Sequence, residues 1–225
     1  MTAVDVRQGR KAKGWTQTDL SRKLGVSQGY VSLLESKRRS VPRRLAPKLV
    51  SVLDLPLNRL PATNSSPLSP GRVAGALGTL GYPGFAHLRH RHKLNPAEVV
   101  VRTLRANNVE ARVVEALPWV LLQYHDLDWQ WLLAEAKQYN LQNRLGLVAT
   151  VALKLAERRS DWTAATTLRT WTNTLEHSRL AKEDAFAGDA LTEAERRWLH
   201  TNRSEEGAHW NLLTRVSADT LSGDA

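Results

Sequence analysis

The chain of 225 residues contains no cysteine, one methionine and two phenylalanines. Without cysteine there is no disulfide frame, no thiolate metal site and no cysteine nucleophile, and a reducing cytoplasm is the simplest expected setting. No run of about 18 apolar residues occurs that could span a bilayer. The opening MTAVDVRQGRKAKGW also lacks the apolar stretch of a secretory signal, so no membrane partner is expected. Two-residue apolar alternation is missing, which removes the usual signature of sheets. Acidic residues are scarce in one part of the chain only. Residues 1–60 hold 13 Lys and Arg against 4 Asp and Glu, and residues 61–94 hold 4 against none.

Apolar residues make up 42% of the chain and charged residues 24%, enough to bury a core and to exclude disorder throughout. The net charge of +10 divides into +9 for residues 1–60, +4 for 61–94 and −3 for 95–225, where 15 basic residues face 18 acidic ones. Seven of the eight tryptophans also lie beyond residue 95. A basic end is suited to a polyanion, and the mildly acidic, tryptophan-rich remainder to a different partner.

The boundary falls in PLNRLPATNSSPLSPG, residues 56–71, with four prolines and three serines and no apolar period, the composition of an extended connector. GRVAGALGTLGYPGF, residues 71–85, has five glycines, each costing roughly 1 kcal/mol inside a helix, so an irregular basic arm is expected over 61–94. From residue 96 to about 213 apolar residues recur at spacings of three and four. The expected class is all-α: a basic helical domain over 1–60, the arm over 61–94 and a helical bundle of five to seven helices over 95–225.

In the first segment Leu20, Leu24, Val31 and Leu34 lie on helical spacing, interrupted by Gly25. Thr16 can cap one helix with Asp19 in its first turn, and Ser27 can cap the next. Gly25 supplies a left-handed turn between them, with Val26 as the wedge. The stretch TQTDLSRKLGVSQGYVSLLESKRR, residues 16–39, resembles the helix-turn-helix of the phage-repressor (XRE, or Cro/CI-type) regulators, over residues 4–55.

The resemblance implies a lambda-repressor-like fold whose second helix, opening at Ser27, enters the major groove. Gln28 is then the leading base reader and Ser32 faces the same groove, while Gln17 bonds a phosphate and steadies Gln28. Tyr30, Lys37, Arg38, Arg39 and Arg43 lie along the phosphates, and Thr16 belongs to the same DNA-binding set through its cap. It also implies a double-stranded operator as partner and a homodimer on it. Gly9 and Gly29 depart from the family pattern, the first implying a loosely packed opening helix and the second fewer base contacts.

In the third segment Asn95-Pro96-Ala97-Glu98 reads as a helix start, with further starts at Asn108, Asp126, Ser160 and Thr192, the last with Glu195 as a capping box. Leu141, Leu145, Val148, Ala152 and Leu155 form a stripe, and Pro118 should kink the helix carrying Trp119. The tryptophans are mainly core, with Trp129 and Trp131 as candidates for a partner surface alongside an aromatic arm tip at Tyr82 and Phe85.

No catalytic set, metal site or cofactor is expected. His87, His90 and His92 have arginines between them, His125-Asp126-Leu127-Asp128 reads as helix-cap chemistry, and no phosphate or dinucleotide loop is present. The segments 117–146, 177–186 and 192–203 resemble regulators encoded beside nucleotidyltransferase-type toxins. That implies an autorepressor and antitoxin whose second domain neutralises a toxin. The alternative is a stand-alone repressor whose second domain binds a small ligand or only dimerises.

Overall fold

The computed structural model describes residues 1–63, 66–88, 93–106, 109–186 and 191–221. The chain divides into two compact units. Unit 1 is Met1–Thr63 with Lys93–Asn95, and unit 2 is Asn64–His92 with Pro96–Ala225. The class is all-α, as expected.

Unit 1 contains α1 (Ala3–Ala12), α2 (Gln17–Leu24), α3 (Gln28–Glu35) and α4 (Ala46–Leu53). Thr2 with Asp5 and Thr16 with Asp19 form reciprocal capping boxes, each satisfying two otherwise free N–H groups, and the Ser27 hydroxyl accepts from the Tyr30 N–H. Gly25 ends α2 at φ 71°, a conformation costly for residues with a Cβ. Val6, Leu20, Leu24, Val31, Leu49 and Leu53 then close one buried cluster. Gly9 does not loosen α1. A Cβ there would stand 3.0 Å from Leu55 and 3.1 Å from Leu53, so the missing side chain lets α1 lie tightly against the end of α4.

The segment expected as one arm is split between the units, and part of it is regular. Residues Pro70–Leu80 form α5, followed by a 3₁₀ stretch, Pro83–Leu88. Val73, Leu77 and Leu80 are at most 5% exposed. Burying each of these is worth about 1.5–3 kcal/mol, more than the roughly 1 kcal/mol lost per interior glycine. Gly78 is also a packing choice, since a Cβ there would overlap the backbone carbonyl of Phe85. Phe85 is itself buried at 6% exposure and packs beside Tyr82, so the aromatic tip belongs to the interior wall of unit 2 and not to a free arm.

The remainder of unit 2 comprises α6 (Pro96–Leu104), α7 (Ala111–Gln123), α8 (Trp129–Gln138), α9 (Gln142–Arg158), α10 (Trp162–Glu176), α11 (Glu193–Asn202) and α12 (Glu205–His209). Two-residue strands β1 (Asp184–Ala185) and β2 (Leu212–Leu213) pair in parallel. The stripe on α9 is buried as expected and meets α7, α8, α10 and α12. Trp210 lies fully buried over Gly146, where no side chain fits beneath the indole, and its Nε1–H donates to Thr150 Oγ1 at 2.9 Å. The caps of α8 and α10 are Asp128 and Asp161, one or two residues after the expected Asp126 and Ser160, while Thr192 and Glu195 form the expected box. Asn108 lies outside the described residues. Pro118 is inside α7.

Candidate nucleic-acid interface

The second helix of the capped pair is held by its own apolar residues. Val31 and Leu34 are fully buried, which leaves Gln28, Gly29, Ser32 and Leu33 on the opposite, outward face. Gln28 and Gly29 are exposed, Ser32 is half-buried, and Leu33 is 39% exposed. Nothing lies within 4 Å of where a Gly29 Cβ would stand, so the backbone of α3 is uncovered at that turn and Leu33, four residues on, is its apolar neighbour.

Gln28 is anchored through a chain of four side chains. Arg10 forms a bidentate pair with Glu35, Nε to Oε1 at 2.6 Å and Nη2 to Oε2 at 3.0 Å, and its third hydrogen bond, from Nη1, is to the Trp15 carbonyl at 2.6 Å. Gln17 Nε2 donates to Glu35 Oε2 at 2.9 Å, and Gln28 Nε2 donates to Gln17 Oε1 at 2.7 Å. The order of donors is dictated by the carboxylate, which only accepts. Gln17 must turn its NH₂ toward Glu35, its carbonyl therefore faces Gln28, and Gln28 must answer with an N–H. The Gln28 carbonyl and its second N–H are left facing outward, one acceptor and one donor, the pair that matches the N6 and N7 edge of adenine.

The charge on Glu35 is secured. Burial pushes its carboxyl up, but hydrogen bonds from Arg10 and Gln17 and the positive charges of Arg10 and Arg7 outweigh this and hold it below the ordinary carboxylate range. Arg10, hydrogen-bonded to that carboxylate, is pushed up correspondingly. Neither partner changes charge near neutrality.

The loop after α3 supplies the cations. Lys37, at φ 62°, Arg38, Arg39 and Arg43 are all exposed, and among the described residues none of them forms an ion pair. The Arg39 guanidinium lies over the Tyr30 ring, 4.8 Å from its centroid, so Tyr30 orients one of these cations. Thr16 and Ser27 serve as caps, and their hydroxyls also accept from backbone N–H groups at the starts of α2 and α3.

Sequence reasoning singles out Gln17, Gln28 and Ser32 but not Arg10, Glu35 or Leu33. Arg10 and Glu35 are 25 residues apart and have no local signature. Leu33 could have been found, because it falls off the Val31 and Leu34 spacing and is therefore an apolar residue with no core to enter.

The candidates in unit 2 are dispersed. Trp129 stacks on the buried Trp171 at 4.6 Å and 3° and is half-buried, as is Trp131. Trp162 and Trp198, at 64% and 51% exposure, are the large aromatic surfaces among the described residues. Among the described residues no group of three His, Asp or Glu side chains could hold a metal ion. His90 and His92 lie outside them.

A capped helix pair around a left-handed glycine, with an outward amide and a cationic loop beside it, defines a DNA-binding helical module. Residues 6–60 match the family model described as helix-turn-helix, and unit 1 is accordingly a DNA-binding helix-turn-helix domain of the XRE type. No curated protein and no solved structure matches the chain. No helix of the described residues is long and apolar enough to cross a membrane.

Proposed function

We propose that the protein is a sequence-specific repressor that reads a two-fold operator, one half-site per copy, with Gln28 as the principal base reader. The observation that carries this is the hydrogen-bond chain from Arg10 through Glu35 and Gln17 to Gln28, which leaves a single donor and acceptor pair directed outward. Leu33 adds an apolar surface suited to a thymine methyl group, and Lys37, Arg38, Arg39 and Arg43 supply phosphate contacts that set affinity without sequence preference. One such helix touches too few bases for useful selectivity, so two copies are required, with half-sites about 34–36 Å apart along the duplex. Selection of bound duplexes from a random pool by the full chain tests this. An inverted repeat with that spacing and an adenine common to both halves is expected, and enrichment of single, unrepeated sites would refute the two-fold reading.

A second reading is favoured by Trp162 and Trp198, exposed within residues 95–225, the stretch that carries a net charge of −3. Tryptophan at a surface is enriched where proteins meet. In this reading unit 2 neutralises a protein toxin, and Tyr82 and Phe85, being wall residues, take no part. Co-expression with the product of the neighbouring gene tests it: co-purification that disappears with Trp162→Ala and Trp198→Ala supports the antitoxin role, and its absence leaves the stand-alone repressor.

A further inference from the structure

The glycine-rich stretch that follows α5 builds one wall of a cavity of about 590 Å³ within unit 2. Gly81, at φ 101°, ends the helix beneath Trp119, and a Cβ on Gly84 would stand 2.7 Å from the Tyr82 ring. These two glycines let three aromatic rings converge. Tyr82 meets Trp119 edge-on at 5.5 Å and 69°, and Phe85 at 5.6 Å and 47°. Leu122 and Leu155 complete the apolar lining. The volume falls in the range of small-molecule sites, and an aromatic box with a few polar groups is their usual make-up.

The polar groups in the lining are unbalanced. Arg112 and Arg159 both face the cavity and are exposed, and among the described residues neither guanidinium has a hydrogen-bond or ion-pair partner. Glu115, the one carboxylate among the lining residues, stands three residues from Arg112 on α7 without pairing to it. Two cations against one anion leave a local charge of +1 beside an aromatic floor. We infer that this cavity binds a small aromatic anion bearing a single negative charge, an aryl or indolyl carboxylate, with its ring among Tyr82, Phe85 and Trp119 and its carboxylate on Arg112 and Arg159. A polyphosphate is disfavoured, because one net positive charge in a unit whose Lys and Arg only balance its Asp and Glu does not offset several negative ones. The site is built from unit 2 alone and stands or falls apart from DNA reading.

Isothermal titration of the full chain with 1-naphthoate, and with neutral 1-naphthalenemethanol for comparison, tests it. One naphthoate per chain is expected, with quenching of tryptophan emission and binding stronger than that of the alcohol. Arg112→Gln with Arg159→Gln removes two exposed side chains that support no other interaction, so folding should be untouched. Naphthoate affinity should then fall about 10-fold or more while the alcohol is unaffected, since charge-assisted bonds are the strong ones. No naphthoate binding at millimolar concentration, equal binding of acid and alcohol, or an affinity indifferent to the double substitution would each overturn the proposal.

Discussion

Glu35 supports both the fold of unit 1 and the orientation of Gln28, and a pair of variants separates the two roles. Its side chain is 4% exposed and that of Arg10 is 12% exposed, so solvent screens the pair little. Glu35→Ala strands a buried guanidinium, a loss of about 3–5 kcal/mol. A helical unit of this size has on the order of 3–9 kcal/mol in total, so this variant approaches unfolding and its weaker DNA binding would teach nothing about reading. Arg10→Met with Glu35→Leu replaces both charges by apolar volume, a change that is typically neutral or stabilising by up to about 4 kcal/mol. Hydrogen exchange of the α2 and α3 amides should then return to native protection. Gln17, however, no longer has the acceptor that fixed its amide, and Gln28 no longer presents one defined edge. Discrimination between operator and scrambled duplexes, measured by anisotropy, should stay weaker by about 1–3 kcal/mol. Recovery of discrimination together with protection would refute the role of Glu35 in positioning the reader.

Three further outcomes are expected. Arg38→Ala with Arg39→Ala should lower affinity on every duplex and reduce the log–log salt slope by about 0.9 for each phosphate that is no longer neutralised, and an unchanged slope would place these arginines away from DNA. Glu35 and Asp19 are both held below the ordinary carboxylate range, Glu35 against its burial and Asp19 by hydrogen bonds from Thr16. A depressed carboxyl stabilises the fold above its unfolded value and loses that contribution as it protonates, so exchange protection in α2 and α3 should be flat near neutrality and fall as pH drops below about 4.3. Protection that rises in acid would contradict this assignment. Gly146→Ala forces a methyl group into the buried Trp210 ring and should destabilise unit 2 by about 1–3 kcal/mol in denaturant titrations, with α3 protection unchanged.

What is legible in the sequence is local. The Thr16 and Ser27 caps and the Gly25 turn each follow from chemistry within three or four residues, and all three stand where that chemistry places them. The caps of α8 and α10 shift because HDLD and SD offer adjacent acceptors, and only three-dimensional closure selects Asp128 and Asp161. The segment 70–80 reads as irregular because propensity counts each glycine as a loss. The gain comes from side chains of α5 buried within unit 2, and Gly78 is needed there because Phe85 approaches so closely. Gly9 misleads for the same reason. The Arg10 to Gln28 chain needs the fold, since four residues from three helices meet there without any common spacing. Among tryptophans, Trp210 and Trp162 share a residue type and end at opposite extremes of exposure, which composition does not resolve.

The proposed reading of an operator turns on Gln28, held by Gln17, meeting a base edge. The direct measurement is a titration of the native chain and of Gln28→Ala against the selected operator and a scrambled duplex at one salt concentration. Gln28 is exposed and its side chain bonds the half-buried Gln17, which keeps its own bond to Glu35, so the substitution should leave the fold intact. A loss of about 1–3 kcal/mol on the operator and almost none on the scrambled duplex is expected. Equal losses on both duplexes, or no loss on either, would contradict it.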